Sequence, residues 1–138
     1  MTSNLVRTFR KFHKYKWDSY TLWSDFIEMA AISIANTADR FQSKNREERY
    51  LQISNKYTKN EMTIFSEMMA DLVMDLEENP HDVLGEAFME LELGNKWKGQ
   101  FFTPYPVAYI MAQTTLTKET IQKAVNKNGF VAVNDDAC

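Results

Sequence analysis

"TKNEMTIFSEMMADLVMDLEENP", residues 58–80, decides the architecture. Thr58 and Glu61 stand in capping-box spacing, a hydroxyl for one orphan amide and a carboxylate reaching back to another. Ile64, Phe65, Met68, Met69, Leu72, Val73 and Leu76 then recur on the 3.6-residue period, which predicts an amphipathic helix closed by Pro80. The same grammar recurs on both sides. "DSYTLWSDFIEMAAISIANTAD" (18–39) has Asp18 or Ser19 as cap, and Leu22, Trp23, Phe26, Ile27, Ala30, Ile34, Ala35 and Ala38 predict a buried helix. "NREERYLQISNKYT" (45–58) opens with Asn45 and Glu48 in capping-box spacing. "HDVLGEAFMELEL" (81–93) groups Val83, Leu84, Ala87, Phe88 and Leu91, with Gly94 and Asn95 as the stop. Thr103 and Pro104 read as cap and first-turn pair for "YPVAYIMAQTTL" (105–116), and Thr117 starts "KETIQKAVNK" (118–127).

With only four glycines and three prolines in 138 residues, punctuation is sparse. The expected fold is mainly α, a bundle of five to seven helices with at most one short C-terminal strand, "FVAV" (130–133), after the Asn128–Gly129 turn. One lone strand lacks neighbours for its backbone groups, so it pairs elsewhere, docks or frays. Strand addition between two copies is one outcome, giving a homodimer.

Composition narrows the class. At 44% hydrophobic the chain is one domain's worth, and one cysteine, Cys138, excludes an internal disulfide. No apolar run reaches membrane-spanning length, and a cytoplasmic protein is expected. The net charge of -3 conceals segregation. Arg7, Arg10, Lys11, Lys14 and Lys16 precede Asp18 without one acid, leaving 11 cations against 19 acids in the remainder. Residues 60–95 hold ten acids and no Lys or Arg, with Glu67, Asp71 and Asp75, then Asp82, Glu86 and Glu90, at four-residue steps beside Glu78. Such an acidic face suits a basic groove on a partner, although a solvated face is the simpler reading. In "RTFRKFHKYKW" (7–17) cations interleaved with aromatics suit nucleic acid, yet aromatics at 9, 12 and 15 or 17 suit a helix facing the core better. His13 and His81 have no ligand-spaced partners, so no metal site is expected.

"LGEAFMELELGNKWKGQFFTPYPVAYIMAQ" (84–113) resembles the segment that leads into the catalytic domain of adenine-specific DNA methyltransferases, including type I restriction-modification methylation subunits and phage enzymes. The resemblance rests on Lys98, Gly99, Gln100, Phe101, Phe102, Thr103 and Pro104, followed by "DDAC" (135–138) where the family has "DPACGSG". It implies a helical domain over 1–97 and the start of a cofactor domain over 98–138 packed on it. It further implies that Gly99, Gln100, Phe101, Phe102, Thr103, Pro104 and Asp135 flank S-adenosylmethionine, the helix after Pro104 offering amides to a carboxylate. Asp136 replaces the family's proline, and the glycines of that turn, the ribose-binding acid and the "NPP" motif are absent from these 138 residues. Adenine methylation needs a flipped base gripped in a pocket. The expectation is therefore no catalytic residue and no cofactor, and a non-catalytic interaction protein derived from such a front end. A phage or mobile-element antagonist of restriction or of a CRISPR nuclease, docking on a basic protein surface, fits that expectation. The alternative is an N-terminal piece of the enzyme itself.

Overall fold

The computed structural model describes residues 3–12, 16–94 and 103–133. Among them are seven α-helices and no strand. The chain divides into two compact units, 1–102 and 103–138.

In the first unit, α4 (Lys59–Glu78) is built as its sequence predicts. Thr58 accepts from the Glu61 amide, Glu61 reaches back to Thr58, and Asn79 ends the helix before Pro80. Asp18 caps α2 (Ser19–Ala38) by accepting from the Thr21 amide. Helix α3 (Ser43–Ser54) starts two residues ahead of Asn45 and has Gln42 at its N-cap without a side-chain bond, so the Asn45–Glu48 box does not form. The cause lies in the preceding turn, where the Arg40 carbonyl accepts from both the amide and the hydroxyl of Ser43. Arg46 also reaches across to Asn36 (2.7 Å) and Asp39 (3.0 Å), tying the start of α3 to the end of α2.

Helix α5 (Val83–Glu90) is capped by Asp82. It ends earlier than Gly94 and Asn95 suggest, with Leu91 at the C-cap and Glu92 in the left-handed region at φ 55°. The short N-terminal helix α1 (Asn4–Phe9) is capped by Ser3 and buries Leu5, Val6, Thr8 and Phe9. Phe12 is buried and Trp17 packs against the same core, as the helical spacing predicts. Tyr15 lies outside the described residues.

The core is a chain of aromatic contacts. Phe12 lies 4.8 Å from Phe65, Phe65 is 4.8 Å from Tyr57, and Tyr57 is 4.7 Å from Trp17, measured between ring centroids. On α2, Leu22, Trp23 and Phe26 are buried as predicted, together with Asp25, Met29 and Ile32. Ile34 and Ala38, expected inside, are exposed, and Ile27, Ala30 and Ala35 are half-buried. Ile34 and Ala38 lie about a third of a turn or more from the line of Leu22 and Met29, on a side of α2 that the bundle leaves exposed.

The second unit contains α6 (Tyr105–Thr115) and α7 (Lys118–Asn128). Thr117 caps α7, and Gly129, left-handed at φ 79°, ends it, a conformation that costs glycine nothing. Residues 131–133 are irregular backbone, so "FVAV" forms no strand, as expected of a segment with no neighbouring strand to pair with. Among the described residues no helix is long and apolar enough to cross a membrane.

Candidate functional site

The basic segment and the acidic flank meet each other. Helix α1 lies along α4 and touches α5. Burial of Leu5, Val6 and Phe9 leaves Arg7, Arg10 and Lys11 on the exposed side, within reach of the acids of α4 and α5. Lys11 pairs with Glu67 at 2.6 Å and Arg10 with Glu90 at 3.7 Å, while the Thr8 hydroxyl donates to Asp71 at 2.6 Å. Arg7 donates to Asn4. Lys14 lies outside the described residues. Pairs this exposed contribute little each, about 0–1 kcal/mol, so they steer α1 onto α4 more than they hold it there.

Glu61 is the most heavily bonded of these acids. It accepts from Lys16 (2.8 Å), the Trp17 indole (2.7 Å) and the Thr58 amide (2.7 Å) as well as the Thr58 hydroxyl. Burial opposes its charge, but these donors outweigh burial and hold the carboxyl at about 2. One side chain thus closes the helix cap and fastens the chain entering α2.

A buried polar cluster escapes the sequence reading altogether. Asp25, 5% exposed, accepts from the Tyr57 hydroxyl at 2.6 Å and lies 3.2 Å from the Lys56 ammonium. Burial, reinforced by the Asp25 carboxylate, pushes the Tyr57 phenol well above its ordinary value. The available signal was Asp25 standing three residues from Leu22 and four from Met29, a carboxylate on the buried stripe. The cluster joins α2 to the α3–α4 turn.

The remaining acids differ in their commitments. Asp82 accepts from the Gly85 amide at 2.8 Å as the cap of α5, and Glu86 lies 3.5 Å from the His81 imidazole. Asp75, Glu77 and Glu78 have no cation within ion-pair distance among the described residues. An open groove of about 690 Å3 runs past Arg7, Asp75, Glu78, Asn79, His81 and Glu86. No three metal-ligating side chains converge among the described residues.

Of the residues implied by the methyltransferase resemblance, Gly99, Gln100, Phe101, Phe102 and Asp135 lie outside the described residues. Thr103 and Pro104 are exposed at the start of α6. The cap is shifted by one from the expected pair. Pro104, extended at φ -55° and ψ 136°, is the N-cap and Thr103 precedes it. Pro106 has no N–H to offer, and the Val107 and Ala108 amides both turn to the Pro104 carbonyl at 2.9 and 3.1 Å. The helix start therefore presents fewer amides to a carboxylate than an ordinary helix N-terminus does.

No protein-family model matches the chain, and no curated protein or solved structure matches it significantly.

Proposed function

We propose that the chain is the front part of an adenine-specific DNA methyltransferase. Its first unit is a helical scaffold, and its second is the entry to the S-adenosylmethionine domain. One observation carries this reading: the two units divide at residues 102 and 103, inside "KGQFFTP". The second unit then runs helix, Thr-capped helix, left-handed glycine and apolar segment, in the order the resemblance implies. Thr103 stands at the mouth of that unit, beside the methyl donor in such an enzyme. The transfer step itself requires the ribose-binding acid and the "NPP" motif, which these 138 residues do not contain.

The test is methyl transfer by the native product isolated from its source cells, with labelled S-adenosylmethionine and DNA. The expected result is label on adenine N6 from a product heavier than 16.1 kDa. A native product of that mass with no transfer overturns the reading.

A second reading has its own support. Asp75 and Glu78, three residues apart on one face of α4, have no cation within ion-pair distance among the described residues. That face suits a basic groove on a nucleic-acid-handling protein, the action of a non-catalytic antagonist of restriction or CRISPR nucleases. Reversing Asp75, Glu77 and Glu78 to lysine then abolishes binding to such a nuclease with the helix content unchanged. Retained binding by the folded variant counts against it.

A further inference from the structure

The turn between α2 and α3, "DRFQSKN" (39–45), holds Phe41 clear of the protein. Its ring is 101% exposed, against 37–72% for the other exposed large apolar side chains among the described residues. The turn is nevertheless fixed. Asp39 accepts from the Phe41 amide at 2.9 Å, the Arg40 carbonyl accepts from the Ser43 hydroxyl at 2.9 Å, and Arg46 holds Asp39 at 3.0 Å and Asn36 at 2.7 Å. All of these bonds use the backbone or the neighbours of Phe41, so the fold makes no use of its ring. Two cations flank it. Arg40 and Lys44 are exposed and have no carboxylate within ion-pair distance among the described residues, whereas Arg46 and Arg49 on the same helix are both paired. The Lys44 and Asn45 amides add to them, since Gln42 at the N-cap makes no side-chain bond and neither amide has an acceptor among the described residues.

We propose that this turn is a contact site for single-stranded nucleic acid, a base stacking on Phe41 and the adjoining phosphates pairing with Arg40 and Lys44. It does not depend on the methyltransferase reading. A nucleotide joins a planar ring to an anion, as the turn joins a planar ring to cations. An acidic peptide would take the cations and leave the ring idle. A duplex is disfavoured because its base faces are covered by their neighbours, and one ring with two cations does not offset unstacking them. A membrane surface is disfavoured because it takes up a whole apolar face, and here one apolar side chain stands among polar ones. Glu47 and Glu48 follow along α3 and confine the contact to a base and its flanking phosphates. Binding is accordingly weak, with dissociation at about 0.1–1 mM in low salt.

Fluorescence anisotropy of a labelled oligothymidylate of about ten nucleotides, titrated with the 138-residue chain to about 1 mM in low salt, tests this. Affinity is expected to fall with the logarithm of salt concentration at a slope of about -1.4, from about 0.7 for each of two phosphates. Phe41→Ala weakens binding at least about fivefold, and Phe41→Trp preserves it. The ring touches nothing in the fold, so circular dichroism should show the same helix content in both variants. Arg40→Gln combined with Lys44→Gln flattens the salt slope. Lys59→Gln, at another exposed cation without an ion pair among the described residues, leaves affinity unchanged. Absence of binding over the whole titration overturns the proposal. So does binding that Phe41→Ala leaves intact, a thymidine–adenosine duplex held as tightly as the single strand, or Phe41-dependent capture by phosphatidylglycerol vesicles in place of the oligonucleotide.

Discussion

Glu61 sets how the fold responds to acid. Its folded carboxyl titrates at about 2 against an ordinary value of 4.5, so the folded state favours the charged form. That stabilisation is complete above the unfolded value and is lost as pH falls from about 4.5 toward 2. Urea unfolding at a series of pH values should show this slope in the wild type and a flatter one in Glu61→Gln. Glu61→Ala removes the capping box as well and costs about 1–2 kcal/mol at neutral pH. Tyr57 works at the other end of the scale. Its phenol is raised in the fold, so its contribution holds below the ordinary tyrosine value and fades as pH climbs past it. Asp25→Ala leaves a buried hydroxyl and a lysine without their acceptor, and chemical denaturation should register a loss of about 2–4 kcal/mol, against about 1–2 for Tyr57→Phe. Both roles of Glu61 had a sequence signal of unequal strength: the cap is a spacing, while the bonds from Lys16 and Trp17 join residues 45 and 44 positions away. Asp25 could be placed on the buried stripe, but its partner Tyr57 could not.

Among the elements, the capped helices were the most legible. Thr58, Asp18 and Thr117 begin their helices as read, because a side-chain cap is a local event. Starts and ends governed by neighbours were not. The beginning of α3 is set by the Arg40–Ser43 turn, with Arg46 bridging to α2, and the end of α5 by Glu92 rather than by a glycine. Periodicity located the apolar faces of α2 without telling which one the bundle covers, so Ile34 and Ala38 were assigned to the wrong side. The N-terminal segment shows the same division. Its aromatic spacing predicted the inward face of Phe9 and Phe12, whereas its ion pairs depend on α4 lying alongside. Packing therefore outweighs charge in holding α1. Leu5→Ala should cost about 2–5 kcal/mol in urea unfolding, because Leu5 is fully buried. Lys11→Gln should move stability by no more than about 0.5 kcal/mol, since its pair with Glu67 is half exposed on both sides.

For the whole molecule, the segregation of charge along the chain has an internal partner. Lys11, Lys16 and Arg10 answer Glu67, Glu61 and Glu90, so much of what reads as a basic arm and an acidic flank is two sides of one packed contact. Of the acidic flank, Asp75, Glu77 and Glu78 at the end of α4 have no cation within ion-pair distance among the described residues. The methyltransferase resemblance rests on a contiguous motif, and its residues 98–102 and Asp135 lie outside the described residues. A nucleic-acid arm and a core helix differ most sharply in how their backbone opens. Native-state hydrogen exchange of the α1 amides from Arg7 to Phe9 decides between them. The core assignment predicts exchange slowed to nearly the same extent as in the centre of α4, through global unfolding, and exchange at the rate of a free peptide would contradict it.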